Sequence, residues 1–201
     1  LYLQFQSDAA PIENKISGDG VIRVAGEVSV KSSDISDYHG EWDVLGKLKT
    51  VDGSFTTSSQ WGTGNVNIEP QGSVVVTNNS NGSLFVFDNT LSGSGTLLVN
   101  FSGSGNGTDL YTPTFKIQQG TTSGFTGMVD LAGEKNKKVV YILDSDELST
   151  SGIRVSDNSV LSVGRDDSSK ETFTLGKLDI SGGELNIGDI QTGSPTSNKT
   201  I

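Results

Sequence analysis

Cysteine is absent from the 201 residues, which excludes disulfides, thiolate metal sites and a thiol nucleophile. Histidine occurs once. Only 32% of the residues are hydrophobic, and no apolar run reaches the length of about 18 residues that a membrane-spanning helix needs. Basic residues are also scarce, since 14 Lys and Arg stand against 24 Asp and Glu. This balance disfavours nucleic acid as a partner, because basic side chains drive phosphate binding.

Small and turn-forming residues dominate instead: Gly, Ser, Thr and Asn together account for 86 residues, which excludes a helix bundle. The apolar residues form short alternating runs, such as Leu97, Val99 and Phe101, which are typical of ordered strands rather than of a disordered chain. Turn signals such as Asp19-Gly20 and Gly182-Gly183 separate these runs. About fifteen strands fit at a spacing of roughly 9–13 residues, which leaves a sandwich, a barrel and a β-solenoid open.

An internal repeat favours the solenoid. Residues 16–24 align with 91–99 at an offset of 75 residues, and residues 38–44 align with 125–131 at an offset of 87. The change of offset indicates about 12 extra residues in the second copy. We expect these within 103–119 and predict that they project as a longer loop or an extra hairpin. Motifs that recur in a fixed order are typical of stacked repeats, in which each unit contacts its neighbours.

We therefore predict an all-β chain that folds as a right-handed parallel β-helix, a β-solenoid fragment with coils of about 20–30 residues. Val, Leu, Ile and Phe are expected to point inward, with Ser, Thr, Asn and Gly at the corners and on the outer face. The start of the chain resembles a protease-site scar at Phe5-Gln6-Ser7. The predicted organisation is a tag remnant or linker at 1–10, a single β-helix domain at 11–192 with unequal repeats at 16–90 and 91–190, and a cut-off or linker at 193–201.

Three motifs stand out from residue 91 onward: LSGSGTL at 91–97, FTGMVDL at 125–131 and LGKLDISGGELNI at 175–187. In this order they resemble the passenger-domain repeats of bacterial type V autotransporter adhesins. The segment 61–76 is similar to a further repeat of that family, so the resemblance covers roughly residues 16–190. The sequence departs from the family pattern at Lys177, where a second Gly is common, and at 139–147, where an apolar run followed by acidic residues replaces a polar stretch.

The resemblance implies an adhesin on the bacterial cell surface, either anchored in the outer membrane or secreted. It would promote attachment to host cells, matrix or glycans, or self-association in biofilms. The expected partners are host surface proteins or glycans, or another copy of the chain, and a membrane only through a C-terminal β-barrel outside this sequence. No cofactor or metal is expected. The alternatives are a structural stalk that presents another head and a β-helical polysaccharide-cleaving enzyme.

Catalytic signals are weak, so we expect that the chain is not an enzyme. The one histidine, His39, aligns with Thr126 at an interchangeable outer position, and no Gly-x-Ser-x-Gly motif accompanies it. Carboxylate pairs such as Asp144 and Asp146 lie in Ser-rich, turn-like segments, where Asp usually caps the backbone. The glycine-rich stretch 103–109 is similar to a calcium-binding nonapeptide, but it occurs once and such sites need tandem copies.

Five residues are candidate ligand contacts. Aromatic side chains often anchor contacts with glycans or proteins, and we predict the best exposure for Trp61, in a Gly-rich segment, and Tyr111, in the inserted stretch. Lys135, Lys137 and Lys138 form the one local basic cluster. The alternative for the aromatic residues is packing in the core, and for the lysines a solvated turn before a buried strand.

Overall fold

A computed structural model places the strands of the chain in a parallel stack. It describes residues 2–3, 12, 15–30, 35, 37–50, 58, 61–78, 84–101, 114–117, 124–133, 139–143, 150–156, 158–163 and 172–187. The strands among them are β1 (Tyr2–Leu3), β2 (Ser17–Gly18), β3 (Val21–Val24), β4 (Glu27–Val30), β5 (Asp37–Tyr38), β6 (Glu41–Val44), β7 (Lys47–Thr50), β8 (Val66–Ile68), β9 (Ser73–Asn78), β10 (Leu84–Phe87), β11 (Leu91–Gly93), β12 (Thr96–Phe101), β13 (Thr114–Ile117), β14 (Met128–Gly133), β15 (Val139–Leu143), β16 (Gly152–Ser156), β17 (Ser159–Val163), β18 (Lys177–Ser181) and β19 (Glu184–Ile187).

These strands form three long sheets and one short pair. Sheet 1 has the order β1-β3-β6-β8-β11, sheet 2 the order β4-β7-β9-β12-β14-β16-β18, sheet 3 the order β10-β13-β15-β17-β19, and sheet 4 pairs β2 with β5. Neighbouring strands are parallel and come from successive coils, so that Val28 pairs with Leu48 and Leu97 pairs with Val129. The predicted fold class, an all-β β-solenoid, is confirmed. In the described part of the chain, no helix has the length and hydrophobicity needed to cross a bilayer.

Alternation along each strand builds the core, because every second side chain points inward. In sheet 2 the inward positions stack in register as Val28, Leu48, Val74, Leu97, Val129 and Ile153. Each of these side chains is at most 1% exposed. Burying one such side chain contributes about 1.5–3 kcal/mol, so a thin apolar interior suffices when each coil packs on the next.

Aromatic side chains fill the interior beside these aliphatic columns. The rings of Phe85 and Phe115 stack with centroids 6.0 Å apart, and Phe115 meets Tyr141 edge to face at 6.1 Å. Trp61 is 0% exposed and packs edge to face against Phe87 at 6.1 Å. The predicted exposure of Trp61 is therefore wrong. Gly62 follows it with a φ of 96°, a conformation that suits glycine and turns the chain at this corner with the ring inside.

Successive coils approach each other closely at their corners. A Cβ atom added to Gly64 would lie 1.7 Å from the carbonyl oxygen of Gly40, so only glycine fits there. Asn89, which is 2% exposed, holds the same corner by donating from Nδ2 to the carbonyl oxygens of Gly62 at 2.8 Å and Gly64 at 2.7 Å. The glycine-rich composition thus has a direct structural cause, which is the small distance between stacked backbones.

The aligned repeats share local geometry. Gly18 and Gly93 have φ values of 92° and 91°, and their carbonyl oxygens accept hydrogen bonds at 2.9 Å from the amides of His39 and Thr126. However, β3 of the first copy lies in sheet 1 whereas the aligned strand β12 lies in sheet 2. The repeat is therefore a strand–turn–strand unit that occurs at different corners of the solenoid.

The projection of the extra residues within 103–119 stays a prediction, but part of this segment belongs to a sheet of the solenoid. Residues 114–117 form β13, which lies between β10 and β15 in sheet 3, and Phe115 points inward. The sequence pattern missed this strand because its inward ring stacks on partners more than 20 residues away. The other residues of that segment lie outside the described residues, as do residues 193–201. Within the predicted linker 1–10, Tyr2 and Leu3 pair with β3.

Candidate interaction surfaces

A polar ladder crosses the outer face of sheet 1. We use this name for Arg23, Asp43, Asn67 and Ser92, which occupy matching positions on β3, β6, β8 and β11. Arg23 donates from Nε to Asp43 Oδ2 at 2.7 Å, and Asn67 donates from Nδ2 to Asp43 Oδ1 at 3.2 Å. Ser92 donates to Asn67 Oδ1 at 3.2 Å, and the Asn67 amide also reaches Glu69 Oε1 at 3.0 Å. Hydrogen bonds therefore link four successive coils.

Burial is uneven along the polar ladder. The Asp43 side chain is only 6% exposed although it lies on the outer face, whereas the Arg23 side chain is 54% exposed. Asp43 is flanked in register by Arg23 on one side and Asn67 on the other. Its charge is compensated by two donors, which is how a nearly buried carboxylate remains tolerable. The polar ladder thus has a fixed acidic centre and a basic end that water can reach.

The outer face of sheet 2 carries two charged clusters. The first cluster is Glu27, Lys47 and Lys49, in which Glu27 pairs with Lys47 at 3.0 Å and also with Lys49. Hydrogen bonds from Lys49 and Lys47 lower the pKa of the Glu27 carboxyl below its ordinary value. The first cluster has one more positive than negative charge. It lies on β4 and β7, at one end of the sheet.

The second cluster is Asp130, Arg154 and Asp179, on β14, β16 and β18. Arg154 pairs with Asp130 at 3.3 Å and with Asp179 at 3.5 Å, and Ser156 donates to Asp130 at 3.3 Å. This cluster has one more negative than positive charge. The two clusters are separated by β9 and β12, whose outer positions are uncharged: Ser73, Val75, Thr77, Thr96, Leu98 and Asn100.

The described residues offer little for catalysis. His39 Nδ1 lies 2.8 Å from Thr63 Oγ1 on the exposed surface. Asp37 pairs with Lys15, whose pKa is raised chiefly by that hydrogen bond. Among the residues described, no group of three or more His, Asp or Glu side chains could hold a metal ion. The carboxylate candidates around Asp144 lie outside the described residues.

A shallow depression of about 150 Å³ marks the corner between β2 and β3. Its lining residues are Ile16, Ser17, Asp19, Gly20, Val21, Ile22 and Tyr38. Tyr38 is 2% exposed, and its hydroxyl lies 2.9 Å from the Gly20 carbonyl oxygen, which it can reach as a donor. The hydrogen-bonding capacity of this side chain is thus directed at the backbone of the corner. The depression therefore offers a mixture of polar and apolar contacts and one carboxylate, that of Asp19.

Of the five predicted contact residues, Trp61 lies in the core, and Tyr111, Lys135, Lys137 and Lys138 lie outside the described residues. The polar ladder and the charged clusters were missed by the sequence analysis. Alternation identifies Arg23 and Asp43 as outward residues, but it does not say which strands lie side by side. No family model, curated protein or solved structure matches the chain. The resemblance to autotransporter passengers therefore depends on the sequence motifs, with a β-solenoid as the fold they imply.

Proposed function

We propose that the chain is an adhesive, non-catalytic segment of an autotransporter-type protein on the bacterial surface, either anchored in the outer membrane or secreted. The observation that carries this proposal is the polar ladder on sheet 1. It presents donors and acceptors in one line across four coils, with the exposed Arg23 at one end. Host surface proteins, glycans or a second copy of the chain are the partners for such a line.

Preorganisation makes the polar ladder suitable for binding. Asp43 and Asn67 already hold one another through a hydrogen bond of 3.2 Å, so little side-chain entropy remains to be lost when a partner arrives. Each contact with an exposed polar side chain is weak by itself, because water competes for the same groups. Many copies on one cell surface add such contacts by avidity, which suits adhesion better than tight binding at a single pocket.

A structural stalk is the second candidate function, and one specific observation favours it. The polar groups of the ladder bond mainly to each other, so their first effect is to tie successive coils together. A rod that is stiffened in this way would hold a separate head away from the cell without binding anything itself. The adhesin and the stalk differ in whether the isolated chain binds to a surface.

Beads coated with the purified chain test the proposal. Their retention is measured on immobilised matrix proteins, on glycans and on host cells under gentle flow. We expect the wild-type chain to retain beads on at least one of these surfaces, and Arg23→Gln to reduce retention several-fold because it removes the exposed charge of the ladder. Lys177→Gln is the matched control, since it removes one positive charge from an exposed outer position on sheet 2.

The outcomes separate the candidates. Retention that is lost in Arg23→Gln and kept in Lys177→Gln supports adhesion through the polar ladder. Equal retention of both variants would contradict the role of the ladder. A wild-type chain that holds to none of the surfaces and does not cluster beads would leave the stalk as the function. Release of sugar ends from a polysaccharide would overturn the non-catalytic part of the proposal.

A further inference from the structure

The depression at the corner between β2 and β3 has the size of a single side chain. Its volume of about 150 Å³ equals that of an apolar cavity that takes up benzene. Sites for drug-sized ligands are larger, at about 300–1,000 Å³. The depression therefore fits a short group of about five or six non-hydrogen atoms rather than a sugar ring with its hydroxyl groups.

Apolar side chains form part of the lining. Ile22 and Tyr38 are each 2% exposed and belong to the core, so the depression ends on tightly packed residues. Val21 is 50% exposed, which is more than any other large hydrophobic residue in the part of the chain that the structure describes. An alkyl chain that lies against Val21 would remove apolar surface from water, which is favourable. The lining thus favours a ligand with methylene groups.

The lining also contributes a carboxylate that the chain does not neutralise. Asp19 is exposed, and no basic side chain among the described residues forms an ion pair with it. The nearest basic residues along the sequence pair with other acids, since Lys15 contacts Asp37 and Arg23 contacts Asp43. A cationic group on a ligand would therefore supply the opposite charge that Asp19 lacks.

A second acid strengthens the negative potential at this corner. Burial is the main cause that raises the pKa of the Tyr38 hydroxyl, and the charges of Glu41 and Asp19 raise it further. Because both charges act on one hydroxyl, both carboxylates lie near the depression. The formal net charge of −10 attracts cations to the chain at longer range. An anionic ligand, such as a sulfated sugar, would be repelled.

Hydrogen bonds between coils hold the corner in shape. The carbonyl oxygen of Gly18 accepts from the His39 amide at 2.9 Å, and that of Gly20 accepts from the Glu41 amide at 2.7 Å. The Tyr38 hydroxyl also donates to the Gly20 carbonyl oxygen at 2.9 Å. The corner is therefore formed before a ligand arrives, so that binding loses little conformational entropy of the chain.

We propose that this depression binds the side chain of a lysine on a partner protein. The methylene groups would lie against Val21 and Ile16, and the ammonium group would reach the carboxylate of Asp19. The Ser17 hydroxyl, which is also part of the lining, can accept a hydrogen bond from the ammonium group. No lining residue belongs to the polar ladder, so the inference does not rest on adhesion through that ladder.

An NMR titration with a small probe tests the inference. Nα-acetyl-lysine amide, which has neutral ends and a free ammonium group, is added to the isotope-labelled chain, and the amide signals of Gly18, Gly20 and Val21 are followed. We expect saturable shifts that are confined to this corner, with a Kd of roughly 1–10 mM, because the charge contact is exposed and burial is partial. Nα-acetyl-norleucine amide keeps the alkyl chain without the ammonium group and should bind about fivefold more weakly.

Three variants locate the site. Asp19→Asn should weaken binding of the lysine probe about fivefold, to the level of the norleucine probe. Val21→Thr, which is similar in shape but carries a hydroxyl, should weaken both probes several-fold because the alkyl contact is lost. Glu184→Gln is the matched control, since it removes one carboxylate from an exposed position on β19, and it should have no effect.

Several results would overturn the inference. They are equal binding of the two probes, shifts that spread evenly over the exposed acids of the chain, or an Asp19→Asn variant that binds the lysine probe like the wild type. The comparison of the two probes on the wild type needs no variant, so the test remains decisive if a substitution disturbs the corner. Bead retention is scored separately, so this site and the proposed adhesion fail independently.

Discussion

Sheets 1 and 2 expose very different outer faces although both are built from the same short strands. On sheet 1, hydrogen bonds connect polar side chains over four coils, and Asp43 at the centre has a side chain that is 6% exposed. On sheet 2, two clusters hold most of the charges, with the exposed Lys177 outside them, and the Asp130 side chain is 20% exposed. The difference shows that the solenoid backbone does not determine which residues occupy the outward positions of a sheet. On sheet 1 the polar side chains form hydrogen bonds with one another, whereas on sheet 2 the first and second clusters lie apart from each other.

The largest expected effect comes from removing the central acid of each face. Asp43→Ala leaves Arg23 and Asn67 without their shared acceptor, and we expect it to lower the free energy of unfolding by about 2–3 kcal/mol, because hydrogen bonds to a charged group are lost. Asp130→Ala removes a more exposed acid and should cost at most about 1 kcal/mol. Urea denaturation of both variants measures the difference. Equal losses would mean that the two faces are not energetically distinct.

A substitution in the interior should lower the free energy of unfolding by an amount between these two values. It tests the hydrogen bond that an interior side chain makes to the backbone of sheet 2. Tyr141 is 1% exposed, and its hydroxyl is 2.9 Å from the Val99 carbonyl oxygen and 3.0 Å from that of Ala132, on two neighbouring strands of sheet 2. Tyr141→Phe removes the donor, and we expect a loss of about 1–2 kcal/mol at neutral pH by urea denaturation. A loss below the error of the measurement would show that this link contributes nothing to sheet 2.

The same residue predicts a pH dependence. Burial raises the pKa of the Tyr141 hydroxyl well above its ordinary value of 10.0, so the folded chain holds this proton more tightly than the unfolded chain. This contribution to stability is complete below pH 10 and is lost as the pH rises towards the folded pKa. The wild type should therefore lose more stability between pH 9 and about pH 11 than Tyr141→Phe does. Parallel curves for the two proteins would contradict the assignment.

The smallest effect is expected at the first cluster of sheet 2. Hydrogen bonds from Lys49 and Lys47 lower the pKa of Glu27, so its contribution to stability is present above its ordinary value of 4.5 and is lost as the pH falls through the lower folded value. Because these side chains are 20–44% exposed and remain in contact with water, we expect no more than about 0.5 kcal/mol. Glu27→Gln should remove this acid-dependent part, measured by urea denaturation at pH 7 and about pH 3. A larger difference would indicate a more buried cluster.

The sequence alone was sufficient for the fold class, because alternating Val, Leu and Ile residues indicate short strands and the internal repeat favours a solenoid over a sandwich or a barrel. It was insufficient for the surfaces. Lys49, Val75, Leu98 and Asp130 form one column only because successive coils have unequal lengths that bring these residues into register. Local pattern does not fix that register when 32 residues separate paired positions such as Leu98 and Asp130.

Trp61 illustrates a different error, in which a residue predicted to be exposed is buried. Its Gly-rich surroundings were interpreted as a sign of exposure, whereas glycine at this corner is what lets successive backbones come close while the ring packs inside. Trp42 donates from Nε1 to the Trp61 carbonyl oxygen at 2.9 Å, which is a contact between coils that no local pattern predicts. Glycine-rich composition indicates where a corner of the solenoid lies. Tertiary packing decides whether a large side chain at that corner points into the core or into solvent.

Adhesion by many weak contacts is the central claim, and its dependence on surface density tests it most directly. Beads are coated with increasing densities of the wild-type chain, and the force needed to detach them from the surface that retains them best is measured. We predict that this force rises more steeply than in proportion to density, because avidity multiplies weak contacts. A force that stays at the level of uncoated beads at every density would contradict the claim.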